Sequence, residues 1–307
     1  MNTSTWITKN TKSLRGKTVA ISGSTGGLGR ELCVHLGALG ASLVLLDRNI
    51  EKSRALADEL RRMYDGISIS HVTVDMTDIP SVKAAADAML EMEIDYLILN
   101  AGAYSIPRLT LANGYDNVFT INFISPYYLA RRMLPKLRER GGKVIAVGSI
   151  AHNYSRIDER DIDFSTRKRA SLVYGNSKRY LTYSLFALAG EGGVAVAHPG
   201  ITFTGITNHY PKLIFAIIKH PMKLIFMPAR RAALSVLAAI FTDCHAGEWI
   251  GPRLFDVWGL PRKKPLRTAK PAEAEKIARM AEEIYELTNK KGLSHLSAYP
   301  LCQKKHL

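Results

Sequence analysis

A tyrosine and a lysine stand four positions apart in the segment YGNSK, as Tyr174 and Lys178. In a helix this spacing places both side chains on one face. A free tyrosine has a pKa of about 10, and a neighbouring ammonium group stabilises the phenolate and lowers that pKa. The pair therefore predicts a general acid/base that moves a proton to or from an oxygen atom. Because this spacing also occurs by chance on protein surfaces, the interpretation depends on the elements that surround it.

Two further polar side chains are candidates for the same chemistry. Ser149 directly follows an apolar run, and its hydroxyl could donate a hydrogen bond to a reacting oxygen and stabilise developing negative charge. Asn122 lies within a helical pattern, where Asn is a poor helix former, and it could hold a water that links Lys178 to solvent. The alternatives are a serine that caps a turn or helix and an ordinary packed asparagine.

Short apolar runs alternate with longer helical patterns up to about residue 200. The pattern predicts strands at 17–22, 42–47, 68–74, 95–99, 143–148 and 193–198, and helices at 29–39, 51–64, 81–91, 117–138 and 174–189. Consecutive apolar positions are typical of parallel strands that are covered on both faces. The predicted fold class is therefore α/β, a single-domain Rossmann-type doubly wound parallel sheet with helices on both faces.

A glycine-rich turn connects the first predicted strand to the first predicted helix. Gly23 allows a tight turn, Gly27 lets backbone N–H groups approach a pyrophosphate, and Gly29 lets the helix pack close to the sheet. The N-terminus of the helix adds partial positive charge. A plain strand-to-helix turn is the alternative. The predicted dinucleotide loop consists of Gly23, Ser24, Thr25, Gly26, Gly27, Leu28 and Gly29.

Asp47 ends the second predicted strand, where the adenosine ribose of a dinucleotide would lie. A carboxylate there accepts hydrogen bonds from the ribose hydroxyls and repels a 2′-phosphate, which favours NAD(H) over NADP(H). Thr25 and Gly26 bring no basic side chain to that pocket. Arg48 favours the opposite choice, because its guanidinium could accept a phosphate. NADP(H) is therefore the alternative cofactor, and a loop cap is the alternative role for Asp47.

The ends of the third and fourth predicted strands supply further candidates for the nucleotide site. Asp75 and the backbone N–H of Met76 could contact the adenine edge, with a turn-forming aspartate as the alternative. Asn100, Ala101 and Gly102 follow the fourth strand, and their small size would leave room for a bound nucleotide.

Together these residues resemble the short-chain dehydrogenase/reductase family. The matches occur in the family's order over about 17–204, roughly two-thirds of the chain. They are Gly23-x-x-x-Gly27-x-Gly29, Asp75, Asn100-Ala101-Gly102, Asn122, Ser149, Tyr174-x-x-x-Lys178 and Pro199-Gly200 followed by Thr204. Within the family, the stretch from SIAHNYSR to LVYGNSKRY looks like the retinol dehydrogenase-like branch. Two positions depart from that branch: Gly148, where it often has a second serine, and Asp47, where its NADP-using members often lack an acid.

The resemblance implies roles for the matching residues. Tyr174 would donate or take the hydroxyl proton, Ser149 would orient the carbonyl, and Lys178 would bind the nicotinamide ribose. Asn122 would complete the proton relay. The residues that would border the nicotinamide and its phosphates are Pro199, Gly200, Thr202 and Thr204.

Composition limits the other classes of function. The apolar fraction of 47% is enough for a sizeable core, and the formal net charge of +15 indicates either attraction to an anionic surface or merely a basic, soluble exterior. No aromatic-interleaved basic stretch or zinc-finger spacing suggests nucleic-acid binding. Three widely spaced cysteines predict neither a disulfide framework nor a metal site. The N-terminus has no apolar run, so a cytoplasmic protein is expected, with peripheral contact at a membrane surface as the alternative.

The predicted organisation is an N-terminal arm at 1–16, one catalytic domain at 17–260, and a basic extension at 261–307 that carries a peripheral helix. An apolar, Pro-punctuated segment at about 201–231 is predicted as a substrate lid, which suits a retinoid-, steroid- or long-chain-like alcohol or ketone. The same segment could instead pack on the sheet, form a homo-oligomer interface or contact a membrane. The competing functions are a non-catalytic NAD(H)-binding regulatory protein and a family member that catalyses epimerisation or dehydration.

Overall fold

The computed structural model describes residues 2–202, 226–266, 268 and 270–290. These residues contain one sheet of eight strands in the order β3-β2-β1-β4-β5-β6-β7-β8. The first seven strands are parallel, and β8 pairs antiparallel with β7. The strands are β1 (Thr18–Ser22), β2 (Ser42–Asp47), β3 (Ile69–Thr73), β4 (Tyr96–Leu99), β5 (Lys143–Val147), β6 (Val194–Ala197), β7 (Glu248–Leu254) and β8 (Trp258–Pro265).

Helices cover both faces of this sheet. They are α1 (Thr3–Asn10), α2 (Gly27–Ala38), α3 (Ile50–Met63), α4 (Ile79–Leu90), α5 (Asn117–Phe119), α6 (Ser125–Glu139), α7 (Ala170–Leu188), α8 (Ala229–Phe241) and α9 (Pro271–Lys290). One apolar cluster joins α4, α6, α7 and α9 to the sheet, and a second joins α1, α2, α3 and α8 to its other face. The predicted α/β fold class, a doubly wound Rossmann-type sheet, is confirmed.

The sheet reverses its strand order between β1 and β4. In open parallel sheets, ligands bind beyond the carboxyl ends of the strands at such a switch point. The glycine turn after β1 and the segment Asn100–Gly102 after β4 are therefore brought side by side at this edge. Ser149 follows β5 at the same edge.

The structure contains two elements that the sequence pattern did not predict. The N-terminal arm forms α1, whose Trp6 is buried, and the side chain of Asn2 caps this helix by accepting a hydrogen bond from the Thr5 amide at 2.8 Å. The strand β7 ends at Leu254, and the chain then turns back into the unpredicted strand β8. Phe255 and Asp256 both have positive φ in this turn, which is the backbone geometry of a tight hairpin.

Candidate active site

Tyr174 and Ser149 are brought together by α7 and by the end of β5. Tyr174 lies in the second turn of α7, and Ser149 follows β5 and caps a short 3-10 turn, accepting a hydrogen bond from the Ala151 amide at 3.2 Å. The Ser149 hydroxyl lies close enough to the Tyr174 phenol to favour its ionised form. Both residues are partly exposed as a whole, whereas the phenol group of Tyr174 is itself buried.

Lys178 lies one helical turn after Tyr174 on the same face of α7. Its Nζ donates a hydrogen bond to the Val147 carbonyl at 2.9 Å and lies 5.8 Å from the centroid of the Tyr174 ring. Burial lowers the pKa of Lys178 to about 8, because an ammonium group loses solvation in the protein interior. The lysine is therefore held beside the tyrosine by the carboxyl end of β5.

The pKa of Tyr174 is raised to about 12, mainly because burial disfavours the phenolate. The hydrogen bond from Ser149 opposes this rise, whereas Tyr104 and Tyr154 add to it. The spacing of Tyr174 and Lys178 predicts that the lysine lowers this pKa, whereas in the structure the pKa is raised. The reason is that desolvation outweighs the favourable contacts of the phenolate, and the main polar contact of the ammonium group is with Val147.

Asn122 occupies a π-helical turn, Thr120–Ile124, between α5 and α6. Its Oδ1 accepts a hydrogen bond from the Ala103 amide at 3.0 Å, and its Nδ2 donates to the Ala103 carbonyl at 2.8 Å. A Cβ placed on Gly102 would lie 2.8 Å from this Oδ1 and 3.7 Å from the Lys178 Nζ. Asn122 and Lys178 therefore approach the same point, and π-turns of this kind are frequent at functional sites.

The glycine loop has the geometry of a phosphate cradle. Gly23 has φ +66°, and a Cβ on Gly29 would collide with the Gly23 carbonyl oxygen. Gly26 precedes α2 and provides no side-chain cap, so the first N–H groups of the helix are not blocked by a capping side chain. Thr25, Gly26 and Gly27 are exposed, whereas Leu28 and Ser24 are buried. The residues present therefore fit a bound pyrophosphate.

Asp47 lies next to this loop and is 5% exposed. Its carboxylate accepts hydrogen bonds from the Ser24 hydroxyl and, at 3.3 Å, from both the amide and the hydroxyl of Thr25. Arg48 points outward with 74% of its side chain exposed, and it lies 3.8 Å from the carboxylate of Asp75. The acid therefore organises the loop, and the arginine is the more accessible of the two charged groups.

The other predicted nucleotide contacts also have structural partners. Asp75 accepts hydrogen bonds from the amide and the hydroxyl of Thr77, which is the turn-forming geometry, and Met76 is buried. Asn100 donates from Nδ2 to the carbonyls of Ser22 and Gly23 at 3.0 and 2.9 Å. It therefore ties the end of β4 to the glycine loop.

The predicted nicotinamide border is only partly within the described residues. Gly200 has φ +87°, and a Cβ there would lie 2.7 Å from the Val257 carbonyl oxygen, so the backbone after β6 passes close to the β7–β8 turn. Pro199 is buried, and Thr202 forms a parallel bridge with Met227. Thr204 and most of the predicted lid, residues 203–225, lie outside the described part.

Two aromatic residues that the sequence pattern does not predict lie beside Tyr174. The ring of Tyr104 meets the Tyr174 ring edge-on, with centroids 5.2 Å apart, and Tyr154 is half exposed nearby. Both lie in loops without hydrophobic periodicity. Their position could have been inferred only from their closeness in sequence to Gly102 and Ser149.

Comparison with known proteins shows which family this chain is similar to. The model of the family described as short chain dehydrogenase matches residues 17–159. Human retinol dehydrogenase 13 is 28% identical over 280 residues, covering 86% of this chain and 82% of that protein. Human retinol dehydrogenase 11 is 27% identical over 285 residues, covering 83% of this chain and 88% of that protein.

Solved structures give the same result for the fold. The crystal structure of an uncharacterized protein from Mycobacterium paratuberculosis has a TM-score of 0.69 at 25% identity, covering 94% of this chain and 98% of that one. The NADPH-dependent 3-quinuclidinone reductase from Rhodotorula rubra has a TM-score of 0.59 at 21% identity, covering 75% and 86%.

The chain is similar to short chain dehydrogenases over residues 17–159, and to retinol dehydrogenases 13 and 11 over most of its length. These similarities indicate an NAD(P)-dependent dehydrogenase/reductase that acts on alcohol groups. In the part of the chain that is described, no helix has the length and apolar character needed to span a membrane. The same ranges contain no cluster of His, Cys, Asp or Glu side chains suited to a metal ion.

Proposed function

We propose that the protein interconverts an alcohol and a carbonyl on an apolar small molecule, with Tyr174 as the general acid/base. The observation that carries this proposal is the closeness of Ser149 and Tyr174 at the carboxyl edge of the sheet, with Lys178 Nζ 5.8 Å from the Tyr174 ring. A nicotinamide cofactor, when bound, would take up or supply the hydride. The chain's own residues position the substrate oxygen and move its proton.

Each residue has a distinct role in this proposal. Ser149 donates a hydrogen bond to the carbonyl oxygen and stabilises the negative charge that develops there. Tyr174 transfers the proton between its phenol and that oxygen. Lys178 holds the nicotinamide ribose, and Asn122 supports a relay that returns the proton to solvent. The contacts of Asn122 with Ala103 fix its place in the π-turn beside Gly102.

We further propose a retinoid, a steroid or a long-chain compound as the substrate class. Relatives that match most of this chain are named retinol dehydrogenases. The aromatic rings of Tyr104 and Tyr154 flank Tyr174 and offer apolar surface to such a molecule. Membrane contact, a homo-oligomer and a cytoplasmic location stay predictions from composition and pattern.

For the cofactor, NAD(H) is the proposal and NADP(H) the alternative. Asp47 supports NAD(H), because a carboxylate at the end of β2 accepts ribose hydroxyls and repels a 2′-phosphate. Arg48 supports NADP(H), because its guanidinium is exposed at the same place. The test is the ratio of kcat/KM for the two cofactors in the parent and in Arg48→Ala. Preference for NADP(H) in the parent, lost in the variant, would contradict the proposal.

The acid/base role is tested by comparing Tyr174→Phe with Tyr180→Phe. Tyr180 lies on the same helix, and its hydroxyl donates to the Met280 sulfur at 3.5 Å. We expect Tyr174→Phe to lose at least about 100-fold in kcat while cofactor affinity, measured by fluorescence titration, is retained. Tyr180→Phe should keep near-parental turnover. Parental activity in Tyr174→Phe would reject the assignment.

The same assays separate the competing functions. Cofactor binding by the parent without any absorbance change at 340 nm, across retinoids, hydroxysteroids and aliphatic alcohols, would favour a non-catalytic binding protein. Conversion of a substrate without net change in cofactor absorbance would favour epimerisation or dehydration.

A further inference from the structure

Arg179 is a buried cation directly after Lys178 on α7, with only 2% of its side chain exposed. Burying a guanidinium group is unfavourable unless charged and polar partners satisfy it. The residue lies on the side of α7 that faces the C-terminal segment, so its partners come from outside the glycine-loop and strand-end motifs that define the family.

The partners of Arg179 join α7 to the start of α9. Its Nε and Nη2 donate to the two carboxylate oxygens of Glu273 at 2.9 and 2.7 Å, which is a bidentate pair. Its Nη1 donates to the His152 carbonyl at 2.9 Å. Burial opposes ionisation of Glu273, but the contacts with Arg179 outweigh it, and the pKa of Glu273 is lowered. Both Arg179 and Glu273 are therefore ionised.

His152 extends this network to the turn that carries Ser149. Its Nδ1 lies 2.6 Å from the Ser149 carbonyl oxygen, and its Nε2 lies 2.8 Å from the Thr268 hydroxyl. The same hydroxyl lies 2.5 Å from the hydroxyl of Tyr183, a residue of α7. His152 is fully buried. The C-terminal segment therefore contacts both α7 and the Ser149 turn.

We propose that Arg179 and Glu273 are positioning residues, which hold the Ser149 turn and the Tyr174 helix in register through Thr268 and the start of α9. The inference deepens the proposed function, since it concerns the geometry of the same hydroxyl pair. Neither residue touches the reacting atoms. Their action passes through His152 and Ser149 on one side and through α7 on the other.

Glu282 offers a matched control on the same helix. It pairs with Arg131 of α6 at 2.5 Å and accepts a hydrogen bond from Tyr127, so Glu282→Ala also removes an ion pair that docks α9. If the only effect were weaker docking of α9, kcat would fall equally in Glu273→Ala and Glu282→Ala. If Glu273 positions the Ser149 turn, kcat should fall only in Glu273→Ala.

We expect Glu273→Ala to lower kcat by about tenfold or more, because small displacements of reacting groups reduce rates steeply. Cofactor affinity should change by less than about twofold, and Glu282→Ala should keep parental kcat. Thr268→Val removes only the hydroxyl between His152 and Tyr183, and it should reproduce part of the effect if Glu273→Ala does not fold.

The pH profile supplies a readout that a purely structural role would not move. Weakening the Ser149 hydrogen bond should raise the pKa of Tyr174 further. Alcohol oxidation requires the phenolate, so the rise of its rate with pH should move to higher pH. The other titrating groups that face Tyr174 are Lys178, Tyr104 and Tyr154, and they are unchanged in every variant.

Tyrosine ring NMR measures the pKa of Tyr174 without turnover, so it separates this inference from the proposed function. A higher pKa in Glu273→Ala and Thr268→Val, but not in Glu282→Ala, supports the inference even if no substrate is found. Unchanged kcat and unchanged Tyr174 pKa in both variants would overturn it, as would equal losses in Glu273→Ala and Glu282→Ala.

Discussion

His198 is expected to make the folded protein sensitive to mild acid. The residue directly follows β6 and is 2% exposed. Its ring stacks on Trp249 with centroids 5.3 Å apart, and its Nε2 lies 2.8 Å from the Asp256 carbonyl oxygen. Burial lowers its pKa from 6.5 to about 4, because an imidazolium cannot be solvated there. Protonation would therefore disturb both the β7–β8 turn and the adjacent Pro199–Gly200 segment.

The size and sign of the effect follow from proton linkage. Between pH 6.5 and 4 the unfolded chain binds a proton at this residue and the folded chain does not, so stability falls as the pH drops through this window. Above pH 6.5 the contribution is fully present. The loss of unfolding free energy from His198 alone is about 2 kcal/mol between pH 7 and pH 5, and about 3 kcal/mol at pH 4.

The assay is urea unfolding of the parent and of His198→Gln at pH 7 and pH 5. The variant keeps a side-chain amide donor for the Asp256 carbonyl but has no group that titrates. All other carboxylates and histidines are common to both proteins, so the difference in pH dependence isolates His198. We expect the variant to lose about 2 kcal/mol less than the parent over this range. Equal losses, or an NMR pKa near 6.5 for His198, would refute the reasoning.

Three further outcomes are expected. Gly29→Ala places a Cβ against the Gly23 carbonyl oxygen and 2.9 Å from Asn100 Nδ2. Cofactor affinity, measured by fluorescence titration, should therefore fall by about tenfold or more. The control is Gly190→Ala, because a Cβ at Gly190 meets open space. Tyr104→Ala should lower kcat/KM for apolar substrates by about two- to tenfold, whereas Tyr104→Phe retains the ring contact and should not. Carbonyl reduction should decline above pH 8 as Lys178 loses its proton, and rate profiles of Lys178→Arg should lack that decline.

Most of the sheet could be predicted from sequence because β1, β2, β4, β5 and β6 are buried runs of mainly apolar residues. The six predicted strands agree with β1 to β6 to within one or two residues, although β3 is partly exposed. β8 could not be found in this way. It is an edge strand with the sequence WGLPRKKP, and its exposed basic residues and prolines hide any alternation.

The residues of the candidate site also divide into those that the sequence predicts and those that it does not. Tyr174, Lys178 and Ser149 could be placed from sequence because spacing on one helix and the end of one strand fix their directions. The pair of Arg179 and Glu273 could not, because its members are 94 positions apart and neither follows a local rule. The pKa of Tyr174 could not either, since it depends on how deeply α7 is buried against its neighbours.

Asp47 shows why an acid at a predicted position does not by itself fix cofactor choice. A carboxylate discriminates between ribose hydroxyls and a 2′-phosphate only with the lone pairs that remain after its internal bonds are made. Here both oxygens already accept hydrogen bonds from Ser24 and Thr25. Its negative charge still repels a phosphate, but the exposed Arg48 lies beside it and attracts one. Cofactor preference therefore depends on the balance between a buried acid and an exposed base, which the order of residues in the chain does not reveal.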